Sequence, residues 1–309
     1  MSRCPLTYQV INDGLYSKEG IRKLNNRLAT LLPLEFTKDE LLEEAAARSV
    51  KISLEGVQPK LSAILSVSDS SFILCDINGK YIIKPQQYLY SELPENEDLT
   101  MRLAGIVGIE VPQHGLVYDK TGILHYFIKR FDRVNRTRKY PVEDFAQLSL
   151  KNRDTKYDSS MEKVSAIIEK YCTFPVIEKI KLFKLTLFNF LVGNEDMHLK
   201  NYSLITKNGI TALSPAYDLL NTTIALKTAT EEIALPLNGK KNNLNRKDLV
   251  NYWGNERLGL NIRTVENILN ELKKAIPLWE KEINISFLSD KMKVAYLALL
   301  KKRQIHLNI

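Results

Sequence analysis

An Asp followed five residues later by an Asn, with a second Asp about twenty residues on, constrains this chain more than any other feature. The segments are Asn194-Glu195-Asp196-Met197-His198-Leu199-Lys200-Asn201 and Ser214-Pro215-Ala216-Tyr217-Asp218. Sites that transfer phosphoryl groups use this spacing to hold an acceptor hydroxyl and two Mg²⁺ ligands. Such transfer depends on positioning and on neutralising charge with metal ions, and asks little covalent work of the protein. Mg²⁺ needs only one or two carboxylates beside phosphate and water oxygens, so the Asn201 amide oxygen and the Asp218 carboxylate suffice and Asp196 is left to face the acceptor. The loop follows the apolar, helix-like run 176–192 and precedes the strand-like Tyr202-Ser203-Leu204-Ile205, which predicts a rigid support. Taken alone, Asp-x-His-x-Lys-Asn is also compatible with an ordinary surface loop, so the rest of the chain decides its weight.

Three upstream features fall in a consistent order. Ser53-Leu54-Glu55-Gly56-Val57-Gln58-Pro59-Lys60 lies between strand-like segments, in the place of a phosphate-binding loop. Residues 71–77, the turn Asn78-Gly79 and Lys80-Tyr81-Ile82-Ile83-Lys84 read as a hairpin that ends on a lysine. A strand-end lysine is by itself an ordinary solvated charge, and Lys84 gains weight from its neighbours along the chain. The helix-like stretch 95–107 carries Glu97 as a partner for it, and the strand-like 123–131 leads into Lys129-Arg130-Phe131-Asp132-Arg133.

Together, the loop 53–60, Tyr81-Ile82-Ile83-Lys84-Pro85, Glu95-Asn96-Glu97, Lys129 to Arg133, Asp196 to Asn201 and Pro215-Ala216-Tyr217-Asp218 resemble the HipA family of bacterial toxin kinases, over roughly residues 50 to 300. The chain is most similar to the short HipT kinases of three-component HipBST systems, in which an amino-terminal subdomain is a separate small protein. The resemblance implies an α+β, two-lobed protein-kinase-like fold, with a strand-rich small lobe over 1–131 that carries the phosphate-binding loop and a helical lobe over 132–309 that carries the catalytic loop. It also implies Mg²⁺ and ATP as cofactors, and a serine/threonine protein kinase acting as the toxin of a toxin–antitoxin system. The expected substrate is an aminoacyl-tRNA synthetase. The expected partners are a small HipS-like protein and a HipB-like helix-turn-helix antitoxin through which DNA is contacted.

Carried over by residue, the resemblance makes Asp196 the catalytic base, with His198 and Lys200 completing the catalytic set. Asn201 and Asp218 are the implied metal ligands. Lys84, Lys129, Phe131, Tyr217 and the loop residues Ser53, Leu54, Glu55, Gly56 and Val57 are the implied nucleotide-binding residues, and Ser53 is the implied autophosphorylation site. His198 also reads as a structural histidine that braces the loop. Lys129 stands where HipA proteins often carry Glu, so adenine contacts there are expected from the backbone. Lys51 stands where some HipT proteins carry a second phosphorylatable Ser.

Composition agrees with this reading. At 309 residues and 44% hydrophobic content the chain can bury a core split into two lobes. No apolar stretch approaches the length of a membrane span and the amino terminus has no apolar signal core, so a cytoplasmic protein with no membrane partner is expected. Cys4, Cys75 and Cys172 lack the spacing of a zinc site or disulfide frame. The net charge of +8 favours an acidic partner surface or nonspecific nucleic-acid contact, but the basic residues are dispersed and no aromatic platform for stacking bases accompanies them.

Residues 37–40 (Thr-Lys-Asp-Glu) have capping-box spacing and predict a helix through Arg48. Apolar recurrence predicts helices over 142–150, 160–171, 176–192, 246–253, 262–275 and 289–302, with Pro175 and Pro277 at helix starts and short strands near 202–213. The polar stretch 226–245 reads as a surface segment that is mobile or becomes ordered on binding. Two other functions stay open on the residues alone: a lipid or small-molecule kinase of related fold, and a catalytically weak module that binds an antitoxin.

Overall fold

Short apolar, mostly buried segments between residues 61 and 129 pair into one five-stranded antiparallel sheet, whose backbone groups find partners along the ladder and whose apolar side chains need a covered face. The structure, a computed structural model, describes residues 2–48, 58–135, 138–226 and 230–309; Ser53, Leu54, Glu55, Gly56 and Val57 lie outside the described residues. Two compact units are present. The first holds residues up to Asp98, Pro112–Lys139 and Ile285–Leu288, and the second holds Leu99–Val111, Tyr140–Asn284 and Ser289–Ile309.

In the first unit, β1 (Ser2–Arg3) and β2 (Val10–Ile11) form a short ribbon, followed by α1 (Lys18–Leu24) and α2 (Lys38–Arg48). The start of α2 is a reciprocal capping box: the Glu40 N–H donates to Thr37 Oγ1 over 3.2 Å and the Thr37 N–H donates to the Glu40 carboxylate over 2.6 Å. Then come β3 (Leu61–Ser66), β4 (Ser71–Leu74), β5 (Tyr81–Lys84), α3 (Leu93–Ile106), whose residues from Leu99 on belong to the second unit, β6 (His114–Tyr118) and β7 (Leu124–Lys129). The strand order is β4-β3-β5-β7-β6. One face packs Phe72, Tyr81 and Phe127 together, with ring centroids 4.9 Å (Phe72–Phe127) and 5.1 Å (Phe72–Tyr81) apart, onto a core that includes Leu34, Leu41 and Ile83.

That order corrects the expected hairpin. β3 lies between β4 and β5, so Asn78-Gly79 joins strands that do not pair. The Cys75 N–H donates to the Ser62 carbonyl and the Lys80 N–H to the Ala63 carbonyl, each over 2.9 Å. Gly79 is required by proximity: a Cβ there would collide with Ser62 Oγ.

The second unit is mostly helical. The run 142–150, expected as one helix, divides into β8 (Val142–Asp144) and α4 (Phe145–Leu148), because Asp144 and Gln147 form a capping box that starts the helix three residues late. α5 (Met161–Tyr171) and α6 (Pro175–Val192) follow, with Pro175 at the start of α6 as expected. Strands β9 (Ser203–Lys207) and β10 (Ile210–Leu213) make a three-stranded sheet with β8. Next are α7 (Thr222–Ala225), π-helical turns over Lys247–Arg257, α8 (Ile262–Ile285) and α9 (Asp290–Leu307).

Pro277 lies inside α8 and does not start a helix. An interior proline costs about 3 kcal/mol or more, but the buried stripe Val265, Ile268, Leu269, Leu272, Ala275, Ile276, Trp279 and Ile283 runs through it. Each large apolar side chain buried there contributes roughly 1.5–3 kcal/mol, so continuity wins. Trp279 also donates its indole N–H to the Leu103 carbonyl over 2.9 Å and meets Phe188 edge-on.

The described part of 226–245 is likewise not the polar surface segment expected. Ile233, Ala234, Leu235, Leu237 and Leu244 are buried, and Glu232 pairs with the buried Arg303. Polar composition hid these anchors. Among the described residues, no helix is long and apolar enough to cross a membrane.

Candidate active site

Strand β5 ends on Lys84, which is 3% exposed, and its Nζ stands 2.6 Å from Oε1 of the fully buried Glu97 on α3. The Tyr126 ring lies 5.6 Å from the ammonium. Removing two charges from water costs several kcal/mol per ion, a cost that is repaid only by close, hydrogen-bonded geometry. The pair that sequence order suggested is therefore formed, as a buried contact.

Lys129 is placed differently. In the ladder Tyr81 pairs with Lys129 and Lys84 with Tyr126, so strand alternation puts the Lys129 side chain on the opposite face of the sheet from that of Lys84. Lys129 is exposed there and borders a cavity of about 620 Å³ with Arg22, Lys80 and Tyr81. Its N–H donates to the Gln113 carbonyl over 2.7 Å. Phe131 is half-buried just beyond the strand.

In the second unit, α6 terminates at Gly193, whose φ of 71° is the left-handed conformation that a helix C-cap demands. The chain then enters the loop 194–201, which is tied at many points. The Asn194 N–H donates to the Asn189 carbonyl over 2.9 Å and the Glu195 N–H to Thr222 Oγ1 over 2.6 Å. Thr222 and Thr223 hydroxyls donate to the Gly193 carbonyl, each over 3.1 Å. The Asp196 carbonyl accepts from the His198 N–H and from the Asn201 side-chain amide, both over 2.8 Å.

Asn201 thus spends its Nδ2 on the backbone and keeps Oδ1 as an acceptor. Asp218, half-buried, has a φ of 54°, a conformation that costs a non-glycine residue about 1–3 kcal/mol and survives only where surroundings enforce it. The preceding Tyr217 does part of that: its hydroxyl contacts Ser203 Oγ at 2.5 Å and donates to the Lys200 carbonyl over 3.0 Å, joining the second aspartate's segment to the loop. Lys200 itself is exposed. One amide oxygen and one carboxylate, both held through the backbone, fit a divalent cation that takes its other oxygens from phosphate and water.

His198 is buried, with Nε2 3.9 Å from Asp196 Oδ1, beyond hydrogen-bond range, and Nδ1 without a partner among the described residues. Burial lowers its pKa, so the ring is neutral. Tyr157 was not legible as a site residue: it lies thirty-nine positions before Asp196 and belongs to no motif, yet its hydroxyl donates to Asp196 Oδ1 and its ring meets His198 edge-on, with centroids 5.1 Å apart. The bracing roles of Ser203, Thr222 and Thr223 were equally invisible, since short hydroxyl side chains carry no spacing signal.

A model of the HipA-like C-terminal domain matches residues 52–279, most of the chain. This chain belongs to the HipA-like family. A Haemophilus influenzae protein named "Putative kinase" is 29% identical over 218 residues, 67% of this chain and 63% of that one. The serine/threonine-protein kinase toxin HipA of Shewanella oneidensis is 30% identical over 193 residues, 55% of this chain and 43% of that protein. The chain thus spans about half the length of the curated relatives it matches. A solved complex of Shewanella oneidensis HipA with HipB and operator DNA contains a chain that aligns with a TM-score of 0.70 at 21% identity, covering 91% of this chain and 74% of that one. The HipA-like, α+β kinase fold expected from the sequence is therefore the observed one.

Proposed function

We propose that this HipA-like chain is an ATP-dependent serine/threonine protein kinase that acts as the toxin of a toxin–antitoxin system. The observation that carries the reading is the pair of tethers in the second unit: Asn201 fixed to the Asp196 backbone, and Asp218 held in a left-handed conformation. Asn201 and Asp218 would hold Mg²⁺, and Lys84, set by Glu97, would hold nucleotide phosphate. Mg²⁺ held there would supply neutralisation of charge on the phosphate oxygens. Asp196 accepts the proton of the incoming hydroxyl, a contribution of roughly 10²–10⁴ in rate. Lys200, exposed within the loop, and the neutral His198 complete the set. The resemblance to HipA kinases supports giving nucleotide contacts to residues 53–57, which lie outside the described residues, and to Phe131 and the Lys129 backbone.

The resemblance to HipA and HipT kinases supports the choice of partner and substrate. An aminoacyl-tRNA synthetase is the acceptor, a HipB-like antitoxin carries the DNA contact, and a HipS-like small protein completes the complex. Ser53 is the site of autophosphorylation, placing about −1.5 to −2 charges where triphosphate binds.

Incubation of the pure chain with γ-labelled ATP, Mg²⁺ and a bacterial lysate tests the activity. Label in a protein band that disappears with Asp196→Asn is expected, and label only in lipid or small-molecule fractions would overturn the protein-kinase reading. Phosphate on Ser53 by mass spectrometry in wild type, and its absence in Asp196→Asn, tests autophosphorylation. Pull-downs at micromolar concentration with HipB-like and HipS-like proteins test the complex.

A further inference from the structure

Asp196 Oδ1 already holds a hydroxyl. The donor is Tyr157 Oη, and no motif or family position led to it. A carboxylate poised to take a proton from an acceptor alcohol presents an oxygen to the substrate; here a phenol stands on Oδ1, while the Asp196 side chain is otherwise 42% exposed. Resting on the kinase reading above, we propose that Tyr157 is an acceptor-site gate, which occupies the position of the substrate hydroxyl on Asp196 Oδ1, keeps water off that oxygen, and yields to a protein segment able to displace the ring.

The surroundings of Tyr157 support an occupant that can leave. It sits in the irregular stretch between α4 and α5, where Asn152 Oδ1 accepts from the Asp154 and Thr155 N–H groups over 2.9 and 3.0 Å to close a tight turn. The Leu199 N–H donates to the Lys156 carbonyl over 3.3 Å, so this turn is moored beside the catalytic loop. The ring is held by the edge of His198 on one side, and the Lys156 ammonium lies 4.9 Å from its centroid. Yet Tyr157 remains 41% exposed. Its proton stays on: burial and the adjacent Asp196 raise its pKa, so it is a donor throughout the physiological range.

Selectivity follows from competition for the Oδ1 position of a carboxylate whose side chain is otherwise 42% exposed. Water that replaces Tyr157 gains one hydrogen bond to Asp196 but forfeits the ring's contacts with His198 and Lys156. A protein chain laid across the surface can replace both, and it brings a serine or threonine hydroxyl to the vacated oxygen. The gate therefore discriminates between protein hydroxyls and water, which limits hydrolysis of ATP when no substrate is bound.

Tyr157→Phe removes only the hydroxyl and keeps the ring packed. The test is Mg²⁺-dependent ATP hydrolysis by the full chain without protein acceptor, comparing wild type, Tyr157→Phe and Tyr157→Phe combined with Asp196→Asn. Hydrolysis by Tyr157→Phe is expected to rise about tenfold, the low end of the worth of one hydrogen bond to a charged group. The rise should vanish in the double variant, while ATP affinity by calorimetry is unchanged and KM for the lysate acceptor falls. If wild type phosphorylates protein but hydrolysis by Tyr157→Phe is unchanged or lower, Tyr157 merely orients Asp196 and the gate is overturned while the kinase reading stands. Phosphotyrosine at position 157 in wild type would also overturn it, since the residue would then be an acceptor. If neither wild type nor Tyr157→Phe transfers phosphate to any acceptor, both readings fall.

Discussion

Asn201 donates its side-chain amide hydrogen to the backbone carbonyl of Asp196 over 2.8 Å, so the two residues separated by five positions close a loop in which the Asp196 main chain orients the Asn201 side chain. Asp196 and Asp218 then carry different duties and should fail differently. On the roles proposed above, Asp196→Asn is expected to abolish phosphoryl transfer while Mg·ATP still binds, because the carboxylate would face the acceptor. Asp218→Asn should lose transfer and weaken Mg·ATP binding, because the proposed metal ligand is gone. Calorimetry on both variants decides; normal binding by Asp218→Asn together with none by Asp196→Asn would reverse the assignment.

The Lys84–Glu97 pair predicts a stability effect as well as a catalytic one. Lys84→Met leaves the carboxylate of the fully buried Glu97 without its cation, which should cost about 3–5 kcal/mol in chemical denaturation. Lys84→Met combined with Glu97→Met should recover much of that loss, while neither variant recovers phosphoryl transfer. Equal destabilisation of the single and double variants would mean that packing around the stem, and not the stranded charge, sets the cost.

The loop 194–201, the ion pair and most helices were legible because each rests on local spacing or on period-3.6 burial. What was missed depends on contacts that sequence distance conceals. β3 inserts between β4 and β5, which no turn signal at Asn78-Gly79 could reveal, since Asn-Gly marks a turn without naming the strands it joins. Pro277 broke a local rule whose penalty was overridden by the buried stripe on both sides of it. Within the site, Tyr157 approaches Asp196 from a stretch with no periodicity at all.

Gly193 is where the fold and the loop meet, and its replacement should disturb both. A Cβ at this position would collide with Leu299 Cδ2 and lie 2.7 Å from Thr223 Oγ1, and φ is left-handed. Gly193→Ala is therefore expected to destabilise the chain by about 2 kcal/mol or more, through strain added to overpacking. Because the Gly193 carbonyl also accepts from Thr222 and Thr223, phosphoryl transfer should fall more than Mg·ATP binding. Unchanged denaturation and activity in this variant would show that the helix end tolerates a side chain.

Glu95 gives a pH dependence of defined sign. It lies in the first turn of α3, its Oε2 is enclosed without a partner among the described residues, and burial, with Glu92 and Asp98 adding repulsion, pushes its pKa up to about 7. An unfolded glutamate titrates near about 4.3. The folded chain therefore binds more protons than the unfolded one between these values, and the contribution of Glu95 is fully present below the lower value and is lost as pH rises through the upper. Glu95→Gln keeps the shape and removes the titration. The free energy of unfolding of Glu95→Gln relative to wild type should therefore grow by about 2 kcal/mol between pH 5 and pH 8, an order-of-magnitude figure that allows for partial solvent access. Urea titrations of both chains at the two pH values measure it. A difference that stays constant with pH would mean that Glu95 is solvated enough to ionise at its ordinary value, and a difference that shrinks toward pH 8 would mean that a cation stabilises its charged form.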